Sequence, residues 1–150
     1  MIGTFVIYNL PGRSCGTTKP PSEFPNNSDG DRRYKKFIDD IKASVSRFPS
    51  IPVAFIIEPE SIENLILYNG NPECDTSGPV YRNLINYAIT TLSLPNIVLY
   101  LDGGSSGTLA PDDMFRAVAT QIPNVYKDAG KPANLRGVKP LPLSLAAPGN

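Results

Sequence analysis

The sequence predicts an α/β fold, a parallel sheet with flanking helices, and three observations carry the prediction. Short apolar runs at 4–8, 53–57 and 97–101 are separated by stretches of helical periodicity. The runs are nearly continuous rather than alternating, as suits strands buried on both faces of a parallel sheet. Each run also leads into polar residues: Arg13 and Ser14, then Glu58 and Glu60, then Asp102. Those positions follow strand carboxyl ends, where parallel α/β sheets place their ligands.

The elements follow in order. Residues 4–8 (Thr-Phe-Val-Ile-Tyr) read as a buried first strand. Residues 16–31 are rich in Pro, Asn, Ser, Asp and Gly and read as a long loop. Tyr34, Phe37, Ile38, Ile41, Val45 and Phe48 recur at helical spacing, so an amphipathic helix is expected from about 31 to 48, closed by Pro49 and Pro52. Val53–Ile57 is the second strand. A helix starting near Ser61 carries Ile62, Leu65 and Ile66 and ends in the Gly/Asn/Pro turn at 69–72. Pro79 sits near the start of another helix, with Val80, Leu84, Ile85, Ala88 and Leu92 on one face. Ile97–Leu101 is the third strand and runs into Asp102-Gly103-Gly104-Ser105. A helix from about 112 to 127 shows Phe115, Val118, Ala119 and Ile122, and Leu135–Val138 is a fourth strand. The predicted order is β-α-β-α-α-β-α-β, which implies right-handed crossovers between parallel strands.

Composition narrows the chemistry. A chain of 150 residues suits one domain with a core of its own. Formal net charge is zero, so no electrostatic field favours nucleic acid or an anionic membrane. No apolar run approaches the roughly 18 residues that span a bilayer. The first residues already read as a strand, so no signal peptide is visible. The absence of histidine excludes histidine-based triads and histidine-ligated metal sites, and two cysteines cannot build a four-cysteine zinc site. No metal or other cofactor is expected. With no tryptophan, any sugar-stacking surface must use Tyr or Phe. Sixteen prolines favour a stiffened, extracellular chain. Cys15 and Cys74 stand 59 positions apart. They read either as two buried thiols or as one disulfide closing a long loop, which would stabilise the fold by roughly 4 kcal/mol. Asn26-Asn27-Ser28 is a glycosylation sequon with Asn26 as acceptor.

The polar clusters carry the functional expectation, and each member has a plainer reading. Arg13 could bind a ligand or pair structurally with Glu58, Glu60 or Asp102. Glu58, directly after a buried strand, fits a hydrogen-bonded structural carboxylate. Tyr8 could be a binding platform or core, and Asp102 could cap the turn into the glycine loop. Ser14 has no histidine base anywhere in the chain and no lysine beside it in sequence, so it reads as a loop serine rather than a nucleophile.

Taken together, the blocks FVIYNLPGRSC, FIIEPESIENL, INYAITTLSLPNIVLYLDGG and NVYKDAGKPANLRG resemble glycoside hydrolase family 6. This is a family of fungal and bacterial cellobiohydrolases and endoglucanases that cut β-1,4-glucan with inversion. The family's blocks read YDLPDRDC, IEPDSLANL, LPNVAMYLDAGHAGW and LRG, and the resemblance runs from about residue 4 to 138. It implies a distorted (β/α) barrel, of which this chain would hold about half, from what looks like the second strand to near the fifth. Residues 1–138 would form that partial barrel and 139–150 a Pro-rich tail. The resemblance also implies a Cys15–Cys74 disulfide, secretion and a fungal source.

Residue by residue, the resemblance is mixed. Glu60 stands at the general acid, an aspartate in the family, and lies one methylene further out. A displacement of about 1 Å can cost on the order of 100-fold in rate. Ser14 replaces the aspartate that supports that acid, and a hydroxyl can neither repel a neighbouring carboxylate nor stabilise a cationic transition state as an anion does. Tyr8, Arg13 and Asp102 are retained. Asn9 replaces an aspartate, Ser105 a histidine and Thr108 the sugar-stacking tryptophan. Catalysis would rest on Glu60 and Asp102, and substrate binding on Tyr8, Arg13 and Ser105. The implied function is a secreted, catalytically impaired relative that binds β-glucan or oligosaccharide, or that binds another protein as an immune-active or effector-like factor. The alternative is a weak inverting hydrolase with Glu60 as acid. Half a barrel would leave open sheet edges to be covered by a second copy, the rearranged Pro-rich tail or another partner, and of these a homodimer is the expectation.

Overall fold

The computed structural model describes residues 2–13, 20–67, 74, 77–105, 107 and 109–139. Ser14, Cys15, Thr108, the turn at 69–72 and the tail from 140 lie outside the described residues. Among the described residues eight elements appear in the expected order: β1 (Gly3–Ile7), α1 (Ser28–Ser46), β2 (Val53–Ile57), α2 (Ser61–Leu67), α3 (Ser77–Thr91), β3 (Ile97–Asp102), α4 (Asp112–Asp128) and β4 (Leu135–Lys139). The strands form one four-stranded sheet in the order β1-β2-β3-β4, with every neighbouring pair parallel. Val53 lies opposite Gly3 and Ile97, so the first three strands run in register and end together.

The apolar runs explain the strands. All five residues of β2 are buried, since it is flanked by β1 and β3 and covered on its faces. Val53, Phe55 and Ile57 join Ile97, Leu99 and Leu101 of β3 in the main core, against Tyr34 and Ile38 of α1 and Leu84, Ile85 and Ile89 of α3. Alternation along the pleat puts Ala54 and Ile56 on the opposite face. β1 corrects the expectation of a buried strand. It is an edge strand, with Gly3, Thr4, Phe5 and Val6 exposed and only Ile7 buried. Phe5 still lays its ring 6.0 Å from Phe55.

The first helix also begins earlier than expected. Asn27 caps it, with Oδ1 accepting the backbone N–H groups of Asp29 (3.0 Å) and Gly30 (3.1 Å). Asp29 and Asp31 add negative charge to the first turn, where the helix dipole favours it. Gly30, which by composition looks like part of the loop, lies inside the helix, where the chain passes close to Pro25 and leaves no room for a side chain. A Cβ at Gly30 would sit 1.8 Å from the Pro25 carbonyl oxygen. The helix stops at Ser46, two residues short of the predicted end, and Phe48 is exposed. In α4 the proline at position 123 is accommodated inside the helix. β4 reaches Lys139, one residue past the predicted strand.

Candidate functional site

The site is built where β1, β2 and β3 end. After Ile57 the backbone turns sharply, and Glu58 (φ 42°) and Glu60 (φ 65°) both take the left-handed conformation that residues with a Cβ rarely adopt. Local bonds hold them there. Glu58 N–H donates to the Ile7 carbonyl (2.8 Å), continuing the β1–β2 pairing by one residue. Ser61 donates to the Glu58 carbonyl through both its N–H (3.2 Å) and its hydroxyl (2.6 Å). Glu60 N–H donates to Asp102 Oδ2 at 2.7 Å, which ties the end of β2 to the end of β3.

The two glutamates meet opposite environments. Glu58 is 1% exposed, and its carboxylate is bonded to the loop after β1. Asn9 N–H lies 3.0 Å from both carboxylate oxygens, and Leu10 N–H donates to Oε2 at 3.1 Å. Burial raises the Glu58 pKa from 4.5 to about 7, although the Asn9 and Leu10 amides, Tyr34 and Arg13 all favour the anion. Glu60 is half-buried, and Tyr8 Oη donates to its Oε2 at 3.2 Å. Burial, and then the Glu60 charge, push the Tyr8 phenol up to about 12, so it stays a donor at any physiological pH. The Arg13 guanidinium lies 4.2 Å from the centre of the Tyr8 ring, and its Nη1 donates to the Tyr8 carbonyl.

Asp102 closes the group on the β3 side. It is 2% exposed, and its Oδ1 is buried without a hydrogen-bond partner. Burial raises its pKa, opposed by the backbone N–H groups of Glu60 and Gly104, while the nearby charges of Glu63 and Glu60 add to the rise. The glycine loop that follows is pinned by Glu63 of α2, whose Oε2 accepts Ser105 N–H at 3.0 Å. Gly104 (φ +90°) passes so close that a Cβ there would lie 2.6 Å from Glu63 Oε2.

Of the residues singled out in the sequence, the fold brings Tyr8, Arg13, Glu60 and Asp102 into one cluster, with Ser105 joined to it through Glu63. Ser14 lies outside the described residues, but Arg13 immediately before it belongs to the cluster. Cys74 is buried and disulfide-bonded, and Cys15 lies outside the described residues. Asn26 is exposed, but its Nδ2 donates to Ser77 Oγ at 3.2 Å and its side chain packs on Gly12. Two contributors escaped the sequence reading. Glu63 is a buried carboxylate on a helix read only for its apolar face. Its one visible signal is its place three residues before Ile66, on the helix face that carries that apolar side chain. Tyr81 of α3, whose polar end the apolar spacing does not reveal, donates its hydroxyl to the Gly12 carbonyl at 2.6 Å and braces the β1 loop from behind.

Among the described residues no group of His, Cys, Asp and Glu could hold a metal ion, and no helix is long and apolar enough to cross a membrane.

Comparison with known proteins gives a consistent result. The family model described as glycosyl hydrolases family 6 matches residues 1–140. Exoglucanase 2 of Hypocrea jecorina is 38% identical over 136 residues, which is 91% of this chain and 29% of that protein. A probable 1,4-beta-D-glucan cellobiohydrolase C of Aspergillus clavatus is also 38% identical over 136 residues. Cellobiohydrolase II of Humicola insolens, solved with glucose and cellotetraose, superposes with a TM-score of 0.87 at 31% identity, covering 91% of this chain and 38% of that one. A glycoside hydrolase family 6 enzyme of Coprinopsis cinerea superposes at 0.82 with 30% identity, covering 93% of this chain and 38% of that one. The chain therefore spans about three tenths of the length of the curated relatives it matches.

Proposed function

The chain belongs to glycosyl hydrolase family 6, and from that premise we propose that it is a secreted, catalytically impaired relative of the family's cellulases that binds β-1,4-glucan or its oligosaccharides. One observation carries the reading. Tyr8, Arg13, Glu60 and Asp102 are assembled at three adjacent strand ends, while position 14 beside them is a serine. The assembled groups suit the gripping of a polar, hydroxyl-rich ligand. Inverting hydrolysis asks for more: one carboxyl to protonate the leaving oxygen and another carboxylate to activate water. The resemblance puts Ser14 at the carboxylate that supports the acid, and a hydroxyl cannot take that part. Relatives named as cellobiohydrolases, and one solved with cellotetraose, support a glucan as ligand.

The second reading, a weak hydrolase, is favoured by the Tyr8–Glu60–Asp102 chain, which keeps one acid oriented and a second carboxylate beside its backbone. Reducing-sugar release from soluble β-1,4-glucan and long cello-oligosaccharides, compared between the wild type and Glu60→Gln, separates the two. Titration calorimetry on the same preparations completes the test. The expected result is no turnover above that of Glu60→Gln together with measurable binding. Turnover that vanishes in Glu60→Gln would establish the hydrolase, and neither turnover nor binding would replace the glucan with a protein partner.

The same reading takes Cys15 and Cys74 as a disulfide, supported by the bonded state of Cys74, the Pro-rich tail as beginning after Lys139, which itself belongs to β4, and Asn26 as a glycan acceptor whose modification would exchange its bond to Ser77. It also includes a homodimer, supported by the exposed Ile2, Phe5 and Val6 along the β1 edge.

A further inference from the structure

The free side of β1 has the makings of a pairing surface. Glu58 N–H bonds to the Ile7 carbonyl, one residue past the register of Ile7 with Ile57. In a parallel ladder a residue bonded in this way turns both backbone groups to its neighbour, and the residues on either side of it turn theirs away. Gly3, Phe5 and Ile7 therefore face β2. The N–H and C=O groups of Thr4 and Val6 face the free edge, which no described strand covers. At Tyr8 the outward carbonyl already accepts from Arg13, so the free stretch ends at the site.

The side chains suit the same use. Residues 2–8 read Ile-Gly-Thr-Phe-Val-Ile-Tyr, with none of the charges or prolines that usually blunt an edge strand. Ile2, Phe5 and Val6 are each more than half exposed. Phe5 forms one wall of a groove of about 340 Å³ with Phe37, Ile41 and Val45 of α1 and Phe55 of β2. The only charged residue among those lining it, Asp40, is held by Lys36 Nζ at 2.8 Å, so the groove can meet a copy of itself without net repulsion.

We propose that a second copy of the chain occupies this edge, its β1 antiparallel to the first about a two-fold axis through Phe5, so that the two sheets become one and each copy lends Ile2 to the other's site. The proposal rests on the homodimer of the preceding reading and gives it an interface. A symmetric pairing needs outward groups opposite outward groups. Centring it on Phe5 sets Thr4 opposite Val6 of the second copy, and Val6 opposite its Thr4, as hydrogen-bonded pairs. The two Phe5 residues form the close, non-hydrogen-bonded pair between them. Axes at Thr4 or at Val6 keep the alternation but pair less of the stretch 2–8 and move the two phenyl rings apart. With the axis at Phe5 the rings meet on the α1 side and close the two grooves into one apolar seam. Ile2 of each copy falls opposite Tyr8 of the other, beside the tyrosine that reaches Glu60. The second copy thus finishes the outer wall of the site.

The test reads register and mass separately. Phe5→Cys sets its two thiols directly opposite each other across the axis, whereas Thr4→Cys and Val6→Cys set theirs on diagonals. Under mild oxidation with glutathione disulfide, Phe5→Cys should form a covalent dimer on the order of tenfold faster than either of the others. The wild type gives a second readout that needs no variant to fold. Exchange of the Thr4 and Val6 amides, followed by NMR, should slow by about tenfold or more as the chain is concentrated through its dimerisation range. The Phe5 and Ile7 amides, bonded to β2, should not change. A dimer by light scattering in which Thr4→Cys or Val6→Cys cross-links as fast as Phe5→Cys, or in which Thr4 and Val6 exchange freely, overturns this interface and leaves the homodimer standing. A mass of one chain at every concentration overturns both. A monomer whose Thr4 and Val6 amides are protected at every dilution also overturns it, because the chain then covers its own edge. None of these readouts depends on glucan binding, so failure of the pairing and failure of the proposed glucan binding are separately visible.

Discussion

Glu58 and Glu60 are separated by a single proline, yet one is sealed beneath a loop and the other stands at its rim. The difference comes from two left-handed residues in three, which rotate successive side chains away from the alternation a strand would impose. Nothing in the string Glu-Pro-Glu distinguishes the two carboxylates, which is why the sequence offered Glu58 only as a structural possibility. The energetic consequence is measurable. Folding raises the Glu58 pKa from 4.5 to about 7, equivalent to roughly 3 kcal/mol. Because the folded value is the higher one, this contribution is fully present below about pH 4.5 and is lost as pH rises through about 7. Urea unfolding at pH 5 and pH 8 should therefore show a smaller pH difference for Glu58→Gln than for the wild type, by an amount on the order of 2–3 kcal/mol.

At the scale of elements, the strands were the legible part. Apolar runs bounded by polar residues mark a strand interior and its carboxyl end at once, so the convergence of Tyr8, Arg13, Glu60 and Asp102 could be anticipated from position alone. Helix starts were less legible. Composition makes Asn27-Ser28-Asp29-Gly30 look like loop, whereas Asn27 is a cap and Gly30 a close-approach residue. These two roles predict different penalties. Asn27→Ala removes the acceptor for two N–H groups of the first turn and should cost about 1 kcal/mol. Gly30→Ala puts a methyl 1.8 Å from a backbone oxygen, which a side-chain rotation cannot relieve, and should cost more than the cap. Thermal or urea denaturation of the two variants side by side checks the ranking.

For the whole molecule, the order of strands was less visible than their number. β1 and β2 both read as short apolar runs, but β2 has a neighbour on each side and β1 on one only, and a single strand's composition does not encode how many neighbours it will have. Hence the expected buried strand became an exposed edge. If that edge pairs with a second copy, light scattering across a range of concentrations should give a mass that falls toward the 16.2 kDa of one chain on dilution. A mass fixed at one chain throughout would remove the dimer from the proposal.

The order of the sheet has a consequence for how the molecule comes into being. Because spatial order and chain order coincide from β1 to β4, β2, β3 and β4 each meet a docking edge already present when they leave the ribosome. No gap has to be held open for a late arrival, and no finished pairing must be broken to admit one. Assembly can therefore advance at the pace of synthesis, each β-α unit completing the one before it, with the exposed pairing edge moving forward along the chain and never trapped inside.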